Sequence, residues 1–447
     1  MVVEAWLVRA AATQPHRVAL QTPAGALTYA ELLRNASGAA GWMAARGVGR
    51  DDRVALALTP GLAFAEALHA CLLLGAVAVP VDLRLSASER ATLSAGTMLT
   101  VDRPAWEGAQ GLAETGVKTP RDAGHDLDAA AVVVHTSGTT TTPRPVVLTY
   151  GNLLWSALGS AVALGLDRNE RWLSALPLAH VGGLSVLVRS AIYATTALVH
   201  ERFDTDRVLH SLLTEDVTVV SVVATTLRRL LDAGLDRPPA LRCALAGGGP
   251  VPATLLARAR DAGVPVCQTY GLTESCSQAT TTPVAALDDV SPSAGPPLFC
   301  TQAMIDGDGE ILLRGPTVAP AAPAQDGWLH TGDLGYLDEL GRLHVTGRAA
   351  DTIISGGENV APAEVEAVLE AHPDVAEAAV VARTDPEWGE AVTAIVVLRD
   401  DARPQSETLR VHCAERLATF KVPRHILHRT EPLPRTRSGK LLRRELR

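Results

Sequence analysis

Short apolar runs alternate with longer helical stretches along the first three hundred residues of the chain. Residues 54–58 (VALAL) and 76–81 (AVAVPV) are β-prone runs on either side of an apolar segment with helical character. The same rhythm recurs in four further runs, each ending at a loop rich in glycine, proline or threonine: 131–135, 172–176, 217–223 and 242–246. This alternation predicts βαβ units and largely parallel sheets, whose ligands bind in the loops at the carboxyl ends of the strands.

A different pattern begins after residue 300, where short strands are separated by turn residues. The sequence Asp306-Gly307-Asp308-Gly309 before EILLRG predicts a hairpin within a β-rich subdomain. Beyond Arg348 the chain reads TIISGG, then a helical segment over 362–371, then the apolar runs AEAAVVA and AVTAIVVL. We therefore predict an α/β protein. Its large N-terminal domain, residues 1–347, has mostly parallel sheets plus the β-rich subdomain, and a small α+β C-terminal domain spans residues 351–447.

Composition narrows the functional class. With 447 residues, 47% apolar and 20% charged, the chain is long enough for two globular domains. A net charge of -9 argues against a nucleic-acid partner. The six cysteines lack metal-ligand spacing, which predicts reduced thiols and a cytoplasmic location. The most apolar stretch, 61–81, is interrupted by Glu66 and His69, so we expect a buried helix and no membrane span.

Five segments carry residue types suited to a nucleotide, although each has a plainer interpretation on its own. The first, HTSGTTTTPR over 135–144, places hydroxyl groups and a guanidinium around one glycine, which suits a polyphosphate. It differs from the Walker pattern, and taken alone it is more typical of a solvated turn. Its candidate binding residues are Thr136, Ser137, Gly138, Thr139, Thr140 and Arg144.

The second segment, QTYGLTE, combines an aromatic ring, a glycine, a hydroxyl and a carboxylate. Tyr270 can stack on a base beside Gly271, Thr273 can reach a phosphate, and Glu274 can hold the Mg²⁺ that accompanies it. A core tyrosine and a helix-capping Thr-Glu pair explain the same residues equally well.

The remaining three segments are individually weak. Gly247, Gly248 and Gly249 allow the close backbone approach that a flat adenine needs. Asp333 lies between glycines and can accept both ribose hydroxyls, although a capped turn is the plainer interpretation. Lys440 lies in a basic C-terminal loop that can meet developing negative charge or simply be solvated.

The order of these five segments resembles the adenylate-forming superfamily of acyl-CoA synthetases, adenylation domains and luciferases, from LTYAELL to SGKLLRREL. The resemblance implies a C-terminal lid domain that rotates between two half-reactions, with ATP, Mg²⁺ and coenzyme A as cofactors. An acid first attacks the α-phosphate of ATP to form an acyl-AMP, and a thiol then displaces AMP.

The resemblance also implies residue roles. Thr136 to Thr140 and Arg144 line the pyrophosphate loop, and Thr273 and Glu274 meet the α-phosphate and Mg²⁺. The remaining implied roles are adenine binding by Tyr270 and Gly248, ribose binding by Asp333 assisted by Arg348, adenylation by Lys440, a border of the pantetheine tunnel at Gly356 and Gly357, and a gate beside the acyl pocket at His180.

Two departures from the superfamily pattern concern the phosphate loop and the hinge. Relatives usually read TSGTTGKPKG, whereas Thr141, Thr142, Arg144 and Pro145 replace glycine, lysine, lysine and glycine here. The loss of two glycines predicts a stiffer loop and slower adenylation. Ala350 stands where many relatives carry an aspartate or lysine pivot, and a small residue there still permits a hinge.

Within the superfamily, stretches such as LPLAHVGGLSVLVRSAIYATTALVHERFD are most similar to the ligase family that activates o-succinylbenzoate in menaquinone biosynthesis. That aromatic keto-acid has two carboxylates, so its pocket needs a group that holds the carboxylate that does not react. The candidates are His180, Arg189, Ser277 and Gln278, although Arg189 equally fits a helix flank or a salt bridge.

Three alternatives stay open at the level of sequence. The chain is a ligase for o-succinylbenzoate and CoA, a ligase for another acid or for a carrier-protein thiol, or an impaired paralogue that only binds nucleotide. The altered phosphate loop motivates the last alternative. The oligomeric state is also open, and a homo-oligomer is compatible with the sequence.

Overall fold

The computed structural model contains the predicted alternation of strands and helices in its first three hundred residues. It describes residues 1–110, 124–136, 144–286, 293–355, 358–386, 388–399, 404–436 and 441–446. Up to residue 136 the elements are β1 (Val2–Glu4), α1 (Trp6–Thr13), β2 (Val18–Thr22), β3 (Gly25–Thr28), α2 (Tyr29–Ala44), β4 (Arg53–Ala57), α3 (Leu62–Leu74), β5 (Val77–Pro80), α4 (Ala87–Ser94), β6 (Leu99–Asp102), α5 (Arg103–Gln110), β7 (Gly124–Asp126) and β8 (Ala130–Thr136).

Between residues 144 and 286 the alternation continues with β9 (Arg144–Thr149), α6 (Tyr150–Leu164), β10 (Arg171–Ser174), α7 (Val181–Tyr193), β11 (Thr196–Val199), α8 (Thr205–Thr214), β12 (Val219–Val222), α9 (Ala224–Asp232), β13 (Cys243–Ala246), α10 (Ala253–Asp261), β14 (Val266–Tyr270) and β15 (Thr280–Thr281). The later elements are β16 (Gln302–Ile305), β17 (Glu310–Arg314), β18 (Leu329–Leu337), β19 (Leu343–Arg348), β20 (Ile353–Ser355), β21 (Glu358–Val360), α11 (Pro362–Glu370), β22 (Val375–Asp385), β23 (Gly389–Leu398), α12 (Ser406–Ala414) and β24 (His425–Arg429).

Two mostly parallel sheets form the larger part of the molecule, as predicted. An eight-stranded sheet has the order β15-β14-β13-β12-β10-β11-β2-β3, with antiparallel pairing at its two edges only. A five-stranded sheet has the order β6-β4-β5-β8-β9 and is parallel except for the β8–β9 pair. Every residue of β5, β11, β12 and β13 is buried, because helices cover both faces of such sheets.

The apolar segment before β5 is a buried helix, as its composition predicted. Helix α3 packs into the largest apolar cluster of the protein, with Phe64 and Leu68 each at most 2% exposed. It ends at Gly75, whose φ of 72° is a left-handed conformation that glycine adopts without steric cost. None of the helices in the described part of the chain combines the length and apolar character that crossing a bilayer requires.

A four-stranded antiparallel sheet, β16-β17-β18-β19, forms the predicted β-rich subdomain. The Asp306 carboxylate accepts hydrogen bonds from the amides of Asp308 and Glu310, at 2.9 and 2.8 Å, and so fixes the predicted hairpin turn. Strand β19 ends at Arg348, where the chain leaves this sheet.

The residues after Arg348 build a separate sheet with its own core. Its order is β21-β20-β23-β22, and β24 pairs with β23. Helix α11 covers one face, where Val365 and Leu369 pack with strand residues such as Val380 and Val392. The helix begins at the proline that the sequence suggested and ends one residue earlier than predicted.

Candidate active site

Tyr270, Asp333 and Arg348 come together although they lie on three different strands. The Tyr270 hydroxyl donates to Asp333 Oδ2 at 2.9 Å, and Arg348 Nε lies 2.8 Å from Asp333 Oδ1. Asp333 and Arg348 are direct partners in the β18–β19 ladder, which explains their contact. Burial raises the pKa of Tyr270, and the neighbouring Asp333 charge raises it further, so the phenol stays a hydrogen-bond donor.

The three glycines after β13 lie next to this cluster. The Gly247 amide donates to the Val222 carbonyl at 3.1 Å, and a Cβ at residue 247 would lie 2.8 Å from Thr269 Cγ2. Gly248 has φ +77°, which strains any other residue, whereas Gly249 faces open space. The loop therefore passes closely beside the end of β14, which Tyr270 occupies.

The loop after Tyr270 folds tightly upon itself. A Cβ at Gly271 would lie 1.6 Å from the Ser277 carbonyl oxygen, so only glycine permits this turn. Cys276 and Ser277 have φ values of 53° and 89°, a conformation that non-glycine residues rarely adopt and that clusters at functional sites.

Thr273 and Glu274 lie within this turn and are partly buried. The Glu274 carbonyl accepts from the Ala319 amide at 2.8 Å, which fixes its backbone. Its carboxylate has no hydrogen-bond or ion-pair partner among the described residues. A carboxylate with unused oxygens is the type of ligand that Mg²⁺ prefers, so this residue fits the predicted metal.

The segment 137–143 joins β8 to β9, and its two flanking residues are paired. Thr136 faces Arg144 in the antiparallel ladder, and the Thr136 hydroxyl lies 3.4 Å from the Arg144 carbonyl. Pro145 also lies in β9, opposite His135. Because β9 is an edge strand, the missing proline N–H costs little there.

Nine residues that the sequence singled out lie outside the described part of the chain: Ser137, Gly138, Thr139, Thr140, Thr141, Thr142, Gly356, Gly357 and Lys440.

Two charged residues beside His180 were not predicted from the sequence. Arg84 lies after β5 and binds the Asp82 carboxylate through two nitrogens, at 2.8 and 2.6 Å. Burial opposes ionisation of Asp82, but the hydrogen bonds from Arg84 outweigh it and hold the pKa of Asp82 below its usual range. Arg84 Nη2 lies 3.4 Å from His180 Nε2, across the junction of the two parallel sheets. Asp82 and Arg84 lie directly after a buried strand, and this position is the sequence signal that could have identified them.

Arg189 is enclosed by protein. It lies on α7, is 2% exposed, and donates from Nη2 to Ser156 Oγ at 3.0 Å. Its guanidinium carbon is 5.5 Å from the Trp172 ring centroid, and its Nε has no hydrogen-bond partner. Burial lowers its pKa, and no carboxylate in the described ranges forms an ion pair with it. It therefore lies on a helix with its side chain buried, and it forms no salt bridge, the second alternative left open by the sequence, with any described residue.

Ser156 connects Arg189 to the loop that follows Tyr270. Its hydroxyl donates to the Cys276 carbonyl at 2.6 Å, so Arg189 lies one hydrogen bond away from the strained turn. Gln278, two residues further, is 1% exposed and donates to Thr281 Oγ1 at 2.9 Å, while its Oε1 has no partner. Two predicted acid-pocket residues thus carry unsatisfied polar atoms in a buried setting, which a polar ligand can complete.

Known proteins resemble this chain over its whole length. The model of the AMP-binding enzyme family matches residues 7–96 and 89–321, and that of the AMP-binding enzyme C-terminal domain matches residues 364–440. The 2-succinylbenzoate--CoA ligase of Bacillus subtilis (strain 168) is 40% identical over 476 residues, covering 99% of this chain and 97% of the relative.

Solved structures of o-succinylbenzoate CoA synthetase from Bacillus subtilis extend the comparison. The complex with the acyl-adenylate intermediate OSB-AMP has a TM-score of 0.90 at 39% identity, covering 100% of this chain and 98% of that one. The complex with ATP and magnesium ion has a TM-score of 0.89 at 39% identity and covers 100% of both chains. A double mutant bound with its product analogue OSB-NCoA has a TM-score of 0.73 at 39% identity, covering 100% of this chain and 98% of that one. The chain therefore belongs to the AMP-binding family of adenylate-forming enzymes.

Proposed function

We propose that this chain is an ATP-dependent ligase that converts o-succinylbenzoate into its CoA thioester through an acyl-AMP. One carboxylate oxygen attacks the α-phosphorus, and the bond to pyrophosphate breaks. The CoA thiolate then attacks the acyl carbonyl, and AMP leaves. The choice of acid rests on the buried Arg189, which has no carboxylate partner among the described residues.

The nucleotide is held by the residues around Asp333. Its carboxylate accepts hydrogen bonds from the ribose hydroxyls. This role fits the position of Asp333, which also accepts a hydrogen bond from Tyr270. Tyr270 and the glycines 247–249 flank adenine, and Arg348 assists at the ribose.

The phosphates meet the turn after Tyr270 and the loop between β8 and β9. Thr273 binds the α-phosphate, and Glu274 holds the Mg²⁺ that neutralises phosphate charge. Thr136 to Thr140 and Arg144 surround the pyrophosphate. Lys440 stabilises the charge that develops during adenylation.

Arg189 holds the carboxylate of the acid that does not react. A buried guanidinium with an unpaired Nε strongly favours an anionic partner, because an uncompensated buried charge is costly. Ser277 and Gln278 complete this end of the pocket, and His180 forms its gate.

The second half-reaction needs the acyl-AMP to meet coenzyme A. We propose that residues 351–447 act as a lid that rotates relative to residues 1–347, and that Gly356 and Gly357 border the pantetheine tunnel after rotation. A cytoplasmic location is supported by the cysteines, all of which are free thiols and most of them buried. A homo-oligomer stays part of the proposal.

A panel of carboxylic acids tests this function in a pyrophosphate-release assay with ATP, Mg²⁺ and CoA. We expect o-succinylbenzoate to give the fastest acid-dependent release of pyrophosphate, because it combines an aromatic ring with a second carboxylate. Another acid that reacts faster would replace the proposed substrate. A comparison of the products formed with CoA and with a carrier-protein thiol identifies the thiol that accepts the acyl group. Nucleotide binding without acid-dependent release would indicate the impaired paralogue.

A further inference from the structure

We propose that Arg228 is a positioning residue that holds the C-terminal domain in the arrangement needed for acyl-AMP formation. The inference rests on the proposed two-step function and adds to it a specific contact between the two domains. Arg228 lies on α9 of the large domain, one turn after the carboxyl end of β12. Its Nη1 donates to the Ala376 carbonyl at 2.7 Å, in the C-terminal domain.

The Ala376 carbonyl is available to accept this hydrogen bond because the C-terminal sheet is irregular at this residue. In the β22–β23 ladder, Val375 pairs with Leu398 and Glu377 with Val397, so Ala376 has no partner of its own. A β-bulge of this kind leaves one residue out of the ladder and redirects its backbone groups. The bulge thus turns the Ala376 carbonyl toward Arg228 instead of toward the neighbouring strand.

The carboxylates around this contact complement the guanidinium. Glu370, at the end of α11, is largely buried and accepts from the Ala378 amide at 3.4 Å. Burial raises the pKa of Glu370, and the positive charges of Arg228 and Arg435 oppose that shift. Arg435 already pairs with Glu377 at 2.8 Å. Arg228 therefore adds a second cation to a group of carboxylates that belongs to the C-terminal domain.

We assign the contact to one of the two domain arrangements that the proposed function requires. The whole chain, with both domains together, superimposes closely on the relatives solved with OSB-AMP and with ATP. It superimposes less well on the double mutant with the product analogue, at equal identity and similar coverage. A high score over the full length requires both domains to fit at once. The Arg228–Ala376 bond is thus part of the arrangement shared with the adenylate- and ATP-bound relatives.

Rotation of the C-terminal domain breaks this bond, because Ala376 moves with that domain and Arg228 does not. The bond consequently stabilises one arrangement only and shifts the population toward it. A single hydrogen bond of this kind changes the ratio of the two arrangements by roughly three- to tenfold.

The test compares Arg228→Met with Arg229→Met. Methionine preserves length and removes the donors, and Arg229 is the next residue of the same helix, exposed and without a side-chain hydrogen bond among the described residues. Single-turnover release of pyrophosphate measures the first step, and thioester formation from supplied acyl-AMP and CoA measures the second. We expect Arg228→Met to slow the first step roughly three- to tenfold and to leave the second unchanged or faster, while Arg229→Met matches the wild type. Arg228→Lys should recover part of the loss.

Equal slowing of both steps would show a structural role and overturn the proposal, as would an unchanged first step. Small-angle X-ray scattering of the AMP-bound proteins gives a measurement that does not depend on the acid. We expect Arg228→Met to reduce the fraction in the present arrangement, and identical profiles would also overturn the proposal. If the wild type releases no pyrophosphate with any acid, the proposed function fails, and scattering alone still decides the role of Arg228.

Discussion

At the scale of single residues, Arg189 is the side chain whose surroundings most clearly indicate a bound ligand. A fully buried cation normally has a carboxylate beside it, because desolvation of the charge is expensive. Here the neighbours are a serine hydroxyl and the face of Trp172, which satisfy it only in part. In the proposed function, a substrate carboxylate supplies the missing counter-charge.

We expect Arg189→Met to lower kcat/KM for o-succinylbenzoate roughly 10- to 150-fold, the value of a hydrogen bond to a charged group. Activation of an aromatic acid with a single carboxylate should change little. Steady-state kinetics with the two acids gives the comparison, and thermal unfolding serves as the control for folding. Methionine fills similar volume, so stability should be preserved. Equal losses for both acids would contradict the assigned role.

The residues proposed to bind nucleotide were accessible from the sequence, whereas the contact between Arg84 and His180 was not. Tyr270 and Asp333 lie in continuous segments whose residue types fit one ligand, and the structure joins them at 2.9 Å. Arg84 matters because it meets His180 across two sheets, 96 positions away in the chain. No local pattern carries information about such a contact. The lack of an ion pair between Arg189 and any described carboxylate is likewise a property of the folded state alone.

At the scale of elements, the turn after β14 depends on one glycine. Gly271 lets the Ser277 carbonyl approach so closely that a methyl group has no room. The same approach brings Cys276 and Ser277 into left-handed conformations, which other backbone contacts then hold. The turn is consequently a rigid support for Thr273 and Glu274.

Gly271→Ala should abolish most adenylation, by at least about a hundredfold, and lower the free energy of unfolding by roughly 2–4 kcal/mol because the turn must rearrange. Gly307→Ala is the matched control, since a Cβ there meets nothing within 4 Å and the residue lies in the turn between β16 and β17. Pyrophosphate release and urea denaturation provide the two measurements. Activity near the wild-type level in Gly271→Ala would show that the turn does not position the phosphate ligands.

Elements were easier to predict than their exact ends. Strands and helices have periodic patterns, and the buried helix before β5 and the hairpin at Asp306 are both present. The run over 217–223 was predicted too long, because β12 begins only at Val219. Its neighbours in the sheet decide where the pairing starts, and these neighbours are distant in sequence. The stiff phosphate loop was inferred partly from Pro145, which the edge position of β9 accommodates.

At the scale of the whole molecule, the proposed mechanism assigns the two half-reactions to different domain arrangements. Lys440→Ala should depress acyl-AMP formation by on the order of a hundredfold or more, because the proposed mechanism brings that lysine to the reactants only in the adenylating arrangement. Thioester formation from supplied acyl-AMP should survive. The exposed Arg444 is a suitable control position, since Arg444→Ala removes a nearby cation without a described side-chain partner. Equal loss in both steps would refute the rotating lid.

The β2–β3 hairpin at the edge of the eight-stranded sheet has a consequence for synthesis of the chain. Its partner strand is β11, and the Thr196 hydroxyl that binds the Val18 carbonyl lies 178 positions later. At a translation rate of roughly 5–20 residues per second, the hairpin waits about ten to thirty-five seconds for that partner. During this interval one edge of β2 has no strand to pair with, and unpaired edges promote association between nascent chains. The ribosome-bound intermediate is therefore the stage at which this enzyme most needs protection from aggregation.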